Sequence, residues 1–248
     1  MRLEFHTLDV FTPTRFGGNP LAVVLDADEL DDTRMQVIAR EFNLSETVFV
    51  KSPANAAHSA AVRIFTPKGE VPFAGHPTVG TAILLSELRS GAIETEQDAI
   101  VTLEQQAGVV RVGIRLKPGE AGFAEFDAPK LPQDAGALPP LDALAAGLGL
   151  IPNEIGFENH RPRCFAAGPA FAMIPVPTLA AIGKAHVCYP HWTAAFDEQG
   201  IVGAYHYTRH CEHTTSDFHT RMFAPEMGIA EDSATGSAAV CLAGAMHH

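Results

Sequence analysis

The chain has 248 residues, 46% of them hydrophobic and 19% charged. This is a globular balance, long enough for one large domain or two ordinary ones without disulfide staples. A net charge of −12 and an isoelectric point near 5.4 repel phosphate backbones and argue against a nucleic-acid partner.

Apolar runs such as Ala166–Ile174 are interrupted by Gly and Pro and fall short of the roughly 18 residues a membrane span needs. The start, MRLEFHTLDVF, carries no basic region ahead of an apolar stretch and does not read as a signal peptide. Cys164, Cys188, Cys211 and Cys241 are scattered, with no CxxC pair. They read as reduced thiols of a cytoplasmic protein.

In chain order, LEFHTLDVF and PLAVVL predict strands separated by the turn signal Gly17-Gly18-Asn19-Pro20. A helix follows from Asp31 or Asp32, with Met35, Ile38, Ala39 and Phe42 at helical spacing. SETVFV and AAVRIFTP predict strands. A second helix opens near His76-Pro77-Thr78, where proline suits the first turn. It is apolar nearly all round through Leu88, so it belongs inside a domain. VTLEQQAGVVRVGIRL predicts a hairpin around Gly108.

The Pro-rich stretch 129–142 reads as a linker, dividing the chain into an N-terminal half, 1–128, and a C-terminal half, 129–248. Beyond it, LDALAAGLGL and TLAAIGKA predict helices. CFAAGPAFAMIPV predicts a strand pair turning at Gly168-Pro169. GIVGAYHYT and SDFHTRMFAP predict strands, and a small-residue helix follows Thr235-Gly236-Ser237.

One pattern occurs twice. Arg63-Ile-Phe65-Thr-Pro67 returns as Arg221-Met-Phe223-Ala-Pro225. Each copy leads through a loop into a Gly-bearing start of an apolar helix; Pro67 to Gly80 is 13 residues and Pro225 to Gly236 is 11. Two such units suggest an ancient duplication.

These two helix starts are the first candidate site. Gly75-His76-Pro77-Thr78 and Asp232–Ser237 can present N–H groups to an anion, or simply be capped by Thr78, Asp232 or Ser237. Glu46 is the second candidate, where the chain passes from a helix into an apolar strand. Desolvation there would suit a carboxylate to acid–base work, whereas a loop carboxylate in water would have no such role. His76 can donate a hydrogen bond or relay a proton, and Asp232 can orient His76 or hold a polar substituent. A third cluster, His206, His210, Cys211, His213, Asp217 and His219, has metal-ligand residue types. Its spacing suits a helix, but the surrounding sequence reads as strand and loop, so no metal is expected.

The blocks DVFT with GGNPLAVV, AREFNLSETVFV, RIFTPKGEVPFAGHPTVGTA and RMFAPEMGIAEDSATGSAA run in order from residue 9 to residue 239. On them the chain resembles the PhzF-like proteins of phenazine biosynthesis, within the diaminopimelate-epimerase-like fold. The resemblance implies an α+β protein of two pseudo-symmetric domains, each a curved, barrel-like, mostly antiparallel sheet around a central helix, with the active site in the cleft between them. It implies Glu46 as general acid/base, and Gly75, His76, Asp232, Gly236 and Ser237 as substrate-binding residues. It implies a cofactor-independent isomerase of a small carboxylate-bearing metabolite, like the isomerase of trans-2,3-dihydro-3-hydroxyanthranilate, and a homodimer.

Racemases of the wider fold place a cysteine at each helix start, and neither start here has one. Family members usually continue into further strands beyond the last helix. Here the sequence stops soon after Gly236-Ser237, which implies a second sheet short of edge strands. A metabolite-binding or interaction protein with a decayed site is the competing expectation.

Overall fold

The computed structural model describes residues 2–128 and 130–247. The chain divides into two compact units, Met1–Pro129 and Lys130–His248.

The first unit contains strands β1 (Phe5–Val10), β2 (Asn19–Val24), β3 (Glu46–Lys51), β4 (Ala60–Phe65), β5 (Glu70–Val71), β6 (Gln97–Gln105), β7 (Gly108–Leu116) and β8 (Phe123–Phe126), with helices α1 (Asp32–Phe42) and α2 (Gly75–Ser90). The sheet runs β1-β2-β3-β4-β6-β7-β8, and β5 adds to β4. It curls around α2, which packs against β1, β2, β3, β6, β7 and β8.

Period-two alternation sorts its side chains. Val48, Val50, Val62 and Ile64 join Val79, Ala82 and Leu84 of α2 in the inner core. Phe49 and Phe65 point the other way and meet Met35 and Ala39 of α1. The Asp31 side chain caps α1 by accepting from the Arg34 N–H at 2.8 Å, and Asn43 ends it in the left-handed conformation. At Gly80 the helix meets the sheet so closely that a Cβ would lie 2.7 Å from Leu21 and 2.8 Å from Val10.

The second unit contains β9 (Gln133–Asp134), α3 (Leu141–Gly147), β10 (Arg163–Ala166), β11 (Ala170–Pro175), α4 (Leu179–Lys184), α5 (His191–Ala195), β12 (Gly203–Thr208), β13 (His219–Ala224), β14 (Ile229–Asp232) and α6 (Gly236–His247). Its sheet order is β14-β13-β12-β11-β10-β9. One face packs Phe165, Phe171, Met173 and Tyr205 against Ala238, Cys241 and Leu242 of α6. The other packs Ala172, Ile174 and Phe223 against Leu144, Ile182, Trp192 and Phe196. Among the described residues this sheet has six strands against eight in the first.

Part of the stretch read as a linker is hydrogen-bonded into the second sheet. Pro129 lies outside the described residues, but β9 hydrogen-bonds to β10, and the Ala135 N–H donates to the Cys164 carbonyl at 2.9 Å. Residues 133–135 therefore lie at the edge of the second sheet. A two-residue strand is too short to show any periodicity. No helix among the described residues is long and apolar enough to cross a membrane.

Both units share one topology. β1–β2 are antiparallel, β2–β3 parallel, β3–β4 and β4–β5 antiparallel, and α2 follows. β10–β11 are antiparallel, β11–β12 parallel, β12–β13 and β13–β14 antiparallel, and α6 follows. The repeated Arg-x-Phe falls on β4 and β13. Arg63 grips Glu70 bidentately and Arg221 grips Glu231 in the same way, at 2.6 and 2.8 Å. Each guanidinium lies over the phenylalanine two residues on, 5.4 Å from the Phe65 ring and 4.8 Å from Phe223.

Candidate active site

β2 and β3 are parallel neighbours, so their first residues, Asn19 and Glu46, lie at the same end of the sheet. Helix α2 begins there too. Asn19 is fully buried, and Glu46 and His76 are only 6% and 2% exposed. The His76 Nδ1 lies 3.4 Å from the Glu46 Oε2 and 3.4 Å from the Asn19 Nδ2. Burial pushes the His76 pKa down to about 4, partly opposed by a hydrogen bond with the Pro20 backbone. The ring is therefore neutral near pH 7, a hydrogen-bonding group and not a cation. Its Nε2 is buried and has no hydrogen-bond partner among the described residues.

No side chain caps this helix start, where Ala74 is the N-cap. Thr78, one of the caps considered from sequence, instead turns its hydroxyl back to the Ala74 carbonyl at 2.8 Å. It accepts in turn from the Gln105 Nε2 at 2.9 Å. Among the described residues the N–H groups of Gly75 and His76 thus begin α2 without a side-chain cap, as an anion-binding helix end requires.

In the second unit Asp232 ends β14 and is 5% exposed. The Thr235 hydroxyl donates to its Oδ2 at 2.5 Å. Gly236 and Ser237, both half-buried, open α6. Nearby on the sheet, the Tyr205 hydroxyl bonds to the Thr220 Oγ1 at 3.1 Å, and burial raises its pKa.

Register aligns the two units residue by residue. Phe49 stands opposite Arg63 and His206 opposite Arg221, which makes Gly203 the counterpart of Glu46. Ile64 pairs with Val71 and Met222 with Asp232, so Val71 is the counterpart of Asp232. Each unit carries one buried carboxylate where the other carries a small or apolar residue. Gly203 cannot be replaced casually, since a Cβ there would lie 2.7 Å from the Phe223 carbonyl oxygen.

The structure thus gathers Glu46, Gly75 and His76 in one unit, and Asp232, Gly236 and Ser237 in the other. It adds Asn19, Gln105 and Thr235, to which the sequence alone gave no role, and Thr78, which it offered only as a cap. Asn19 was visible only as part of a turn signal. Cys241 lies wholly inside its core, where burial pushes its thiol up to about 11, so it is not a helix-start acid. His206 is fully buried, its Nδ1 against the Arg221 carbonyl at 3.3 Å. No three His, Cys, Asp or Glu side chains among the described residues gather as metal ligands.

The family model for phenazine biosynthesis-like protein, PhzC-PhzF, matches residues 8–248. An uncharacterized isomerase of Mesorhizobium japonicum is 48% identical over 97% of this chain and 79% of its own length. The trans-2,3-dihydro-3-hydroxyanthranilate isomerase of Pseudomonas chlororaphis is 35% identical over 95% of this chain and 77% of its own. A PhzF-family crystal structure from Bacillus anthracis superposes with a TM-score of 0.83 at 26% identity, covering 99% of this chain and 80% of that one. With its two curled sheets, its duplicated topology and these relatives, the chain belongs to the phenazine biosynthesis-like protein family and is an isomerase of the diaminopimelate-epimerase-like fold.

Proposed function

We propose that Glu46 is the general acid/base of a proton-shift isomerisation on a small carboxylate-bearing metabolite. The observation that carries this reading is the Glu46 carboxylate, 6% exposed and 3.4 Å from the neutral His76 imidazole, at a helix start with no side-chain cap. The carboxylate takes a proton from carbon next to an unsaturated or carbonyl system. Charge then spreads through the conjugated system, and the same group returns the proton to another carbon on the same face. Gly75, Gly236 and Ser237 bind substrate, since amides at a helix start suit an anionic group. His76 and Asp232 position polar substituents.

Stereoinversion wants a base on each face, and the register counterpart of Glu46 is Gly203. That absence of a second equivalent carboxylate favours isomerisation over racemisation. Following the named relatives, trans-2,3-dihydro-3-hydroxyanthranilate is the first substrate to assay. A homodimer in the cytoplasm, acting without metal or organic cofactor, completes the proposal; sedimentation analysis tests its assembly.

The decisive experiment is Glu46→Gln, assayed in deuterium oxide. Loss of a general base costs about 10²-fold or more in turnover. The folded variant should lose that much and stop exchanging substrate hydrogen with solvent. Undiminished turnover in the folded variant would remove Glu46 from the mechanism.

A further inference from the structure

A thiol–imidazole pair, His186 and Cys188, lies in the second unit apart from every residue assigned above. The segment that carries it is pinned to the end of α3. The His186 N–H donates to the Leu148 carbonyl at 3.1 Å, and the Cys188 N–H donates to the Gly147 carbonyl at 2.9 Å. With alternate N–H groups tied to one neighbour, side chains two residues apart leave on the same side, as in a strand. The Cys188 Sγ accordingly lies 3.3 Å from the His186 Nε2.

The other ring nitrogen settles the roles. His186 Nδ1 is 3.0 Å from the Lys184 carbonyl oxygen. A carbonyl only accepts, so Nδ1 carries the hydrogen, and in the neutral ring Nε2 holds the lone pair toward the thiol. The imidazole has its place because residue 149 is glycine, in the left-handed conformation. A Cβ there would fall 2.3 Å from the ring's Cε1. The Lys184 ammonium is occupied by Glu154 at 2.8 Å.

The other cysteines provide the contrast. Cys164 and Cys241 are buried, and burial raises the pKa of both thiols, as expected of inert structural cysteines. Cys211 is half-buried like Cys188, but no imidazole hydrogen-bonds its sulfur among the described residues.

We propose that Cys188 is a reactive thiol that exchanges with small-molecule disulfides, with His186 as its proton acceptor. The S–H bond breaks and its proton passes to the His186 Nε2. The sulfur forms a new S–S bond with one sulfur of the disulfide. The original S–S bond breaks, and the departing thiolate takes its electron pair and then the proton from Nε2. One thiol and one disulfide give one mixed disulfide and one thiol, so no further oxidant is required. This site is independent of the isomerase reading.

The test uses the full chain, reduced and then exposed to glutathione disulfide near pH 7, with each cysteine's adduct followed in time by peptide mass mapping. Cys188 should react about 10²-fold faster than Cys211, the lower end of what a positioned base contributes. His186→Asn keeps an amide N–H for the Lys184 carbonyl but removes the Nε2 lone pair. It should bring Cys188 down to the Cys211 rate. Equal rates at Cys188 and Cys211 in the unaltered protein overturn the proposal, and that comparison needs no variant to fold. An unchanged Cys188 rate in folded His186→Asn overturns it equally.

Discussion

Glu46, His76 and Asn19 form a buried polar group held at the parallel ends of β2 and β3. With its pKa near 4, the His76 ring should stay neutral from about pH 5 upward. NMR of the imidazole should show no titration between about pH 5 and pH 8, and a midpoint near 6.5 would contradict the burial described. Asn19, 3.4 Å from the His76 Nδ1, helps fix that ring's orientation. Asn19→Ala should lower kcat by up to about 100-fold, the cost of misplacing a reacting group by an ångström, with a smaller effect on KM. A change confined to stability, with kcat intact, would make Asn19 a packing residue only. Glu46 was legible in the sequence because a carboxylate just before an apolar strand has to be paired, solvated or put to use. Asn19 was not, because Gly17-Gly18-Asn19-Pro20 specifies a turn, and nothing local states that residue 19 will lie beneath residue 76.

At the level of elements, the duplication was legible where apolar periodicity ran long enough. The strand pair over Arg163–Pro175, the hairpin at Gly108 and both central helices follow from residue pattern alone. The pieces missed, β5, β8, β9, β14 and α5, span two to five residues and owe their geometry to neighbours rather than to local pattern. Close contact between elements explains Gly80. Gly80→Ala should cost about 1–3 kcal/mol by forcing a methyl group between Leu21 and Val10; urea denaturation measures it, and a neutral result would mean α2 can shift away from the sheet. The duplication also exposes one substitution. Where the first unit packs Phe49 on Phe65, ring centroids 5.5 Å apart, the second packs His206 on Phe223 at 5.0 Å. The His206 Nε2 is buried without a hydrogen-bond partner among the described residues, and burial holds its pKa at about 4. His206→Phe should therefore keep or raise stability near neutral pH, and a variant that fails to fold would show that the register equivalence does not extend to packing.

For the whole molecule, α2 and α6 are each too apolar to sit on a surface, so each calls for a sheet to cover it. The acidic composition adds a property that no single element carries. His76 and His206 both have folded pKa values near 4 against about 6.5 when unfolded. Between those values the unfolded chain binds more protons than the folded one. The stability they leave intact above about pH 6.5 is thus lost as pH falls toward and through 4, by roughly 3 kcal/mol for each ring. The isoelectric point near 5.4 lies inside that window, so charge repulsion between molecules vanishes while the fold is weakening. Turbidity on mild heating should therefore peak close to pH 5.4. His206→Phe separates the two causes. It removes one acid-sensitive ring, so its thermal midpoint should fall less steeply between about pH 6.5 and pH 4. It scarcely alters the net charge of the folded chain, because the replaced ring is already neutral through most of that range. The turbidity maximum should therefore stay at the same pH while its height drops. A maximum that moves with the substitution would mean that local opening around His206, not loss of net charge, sets the pH at which the protein associates.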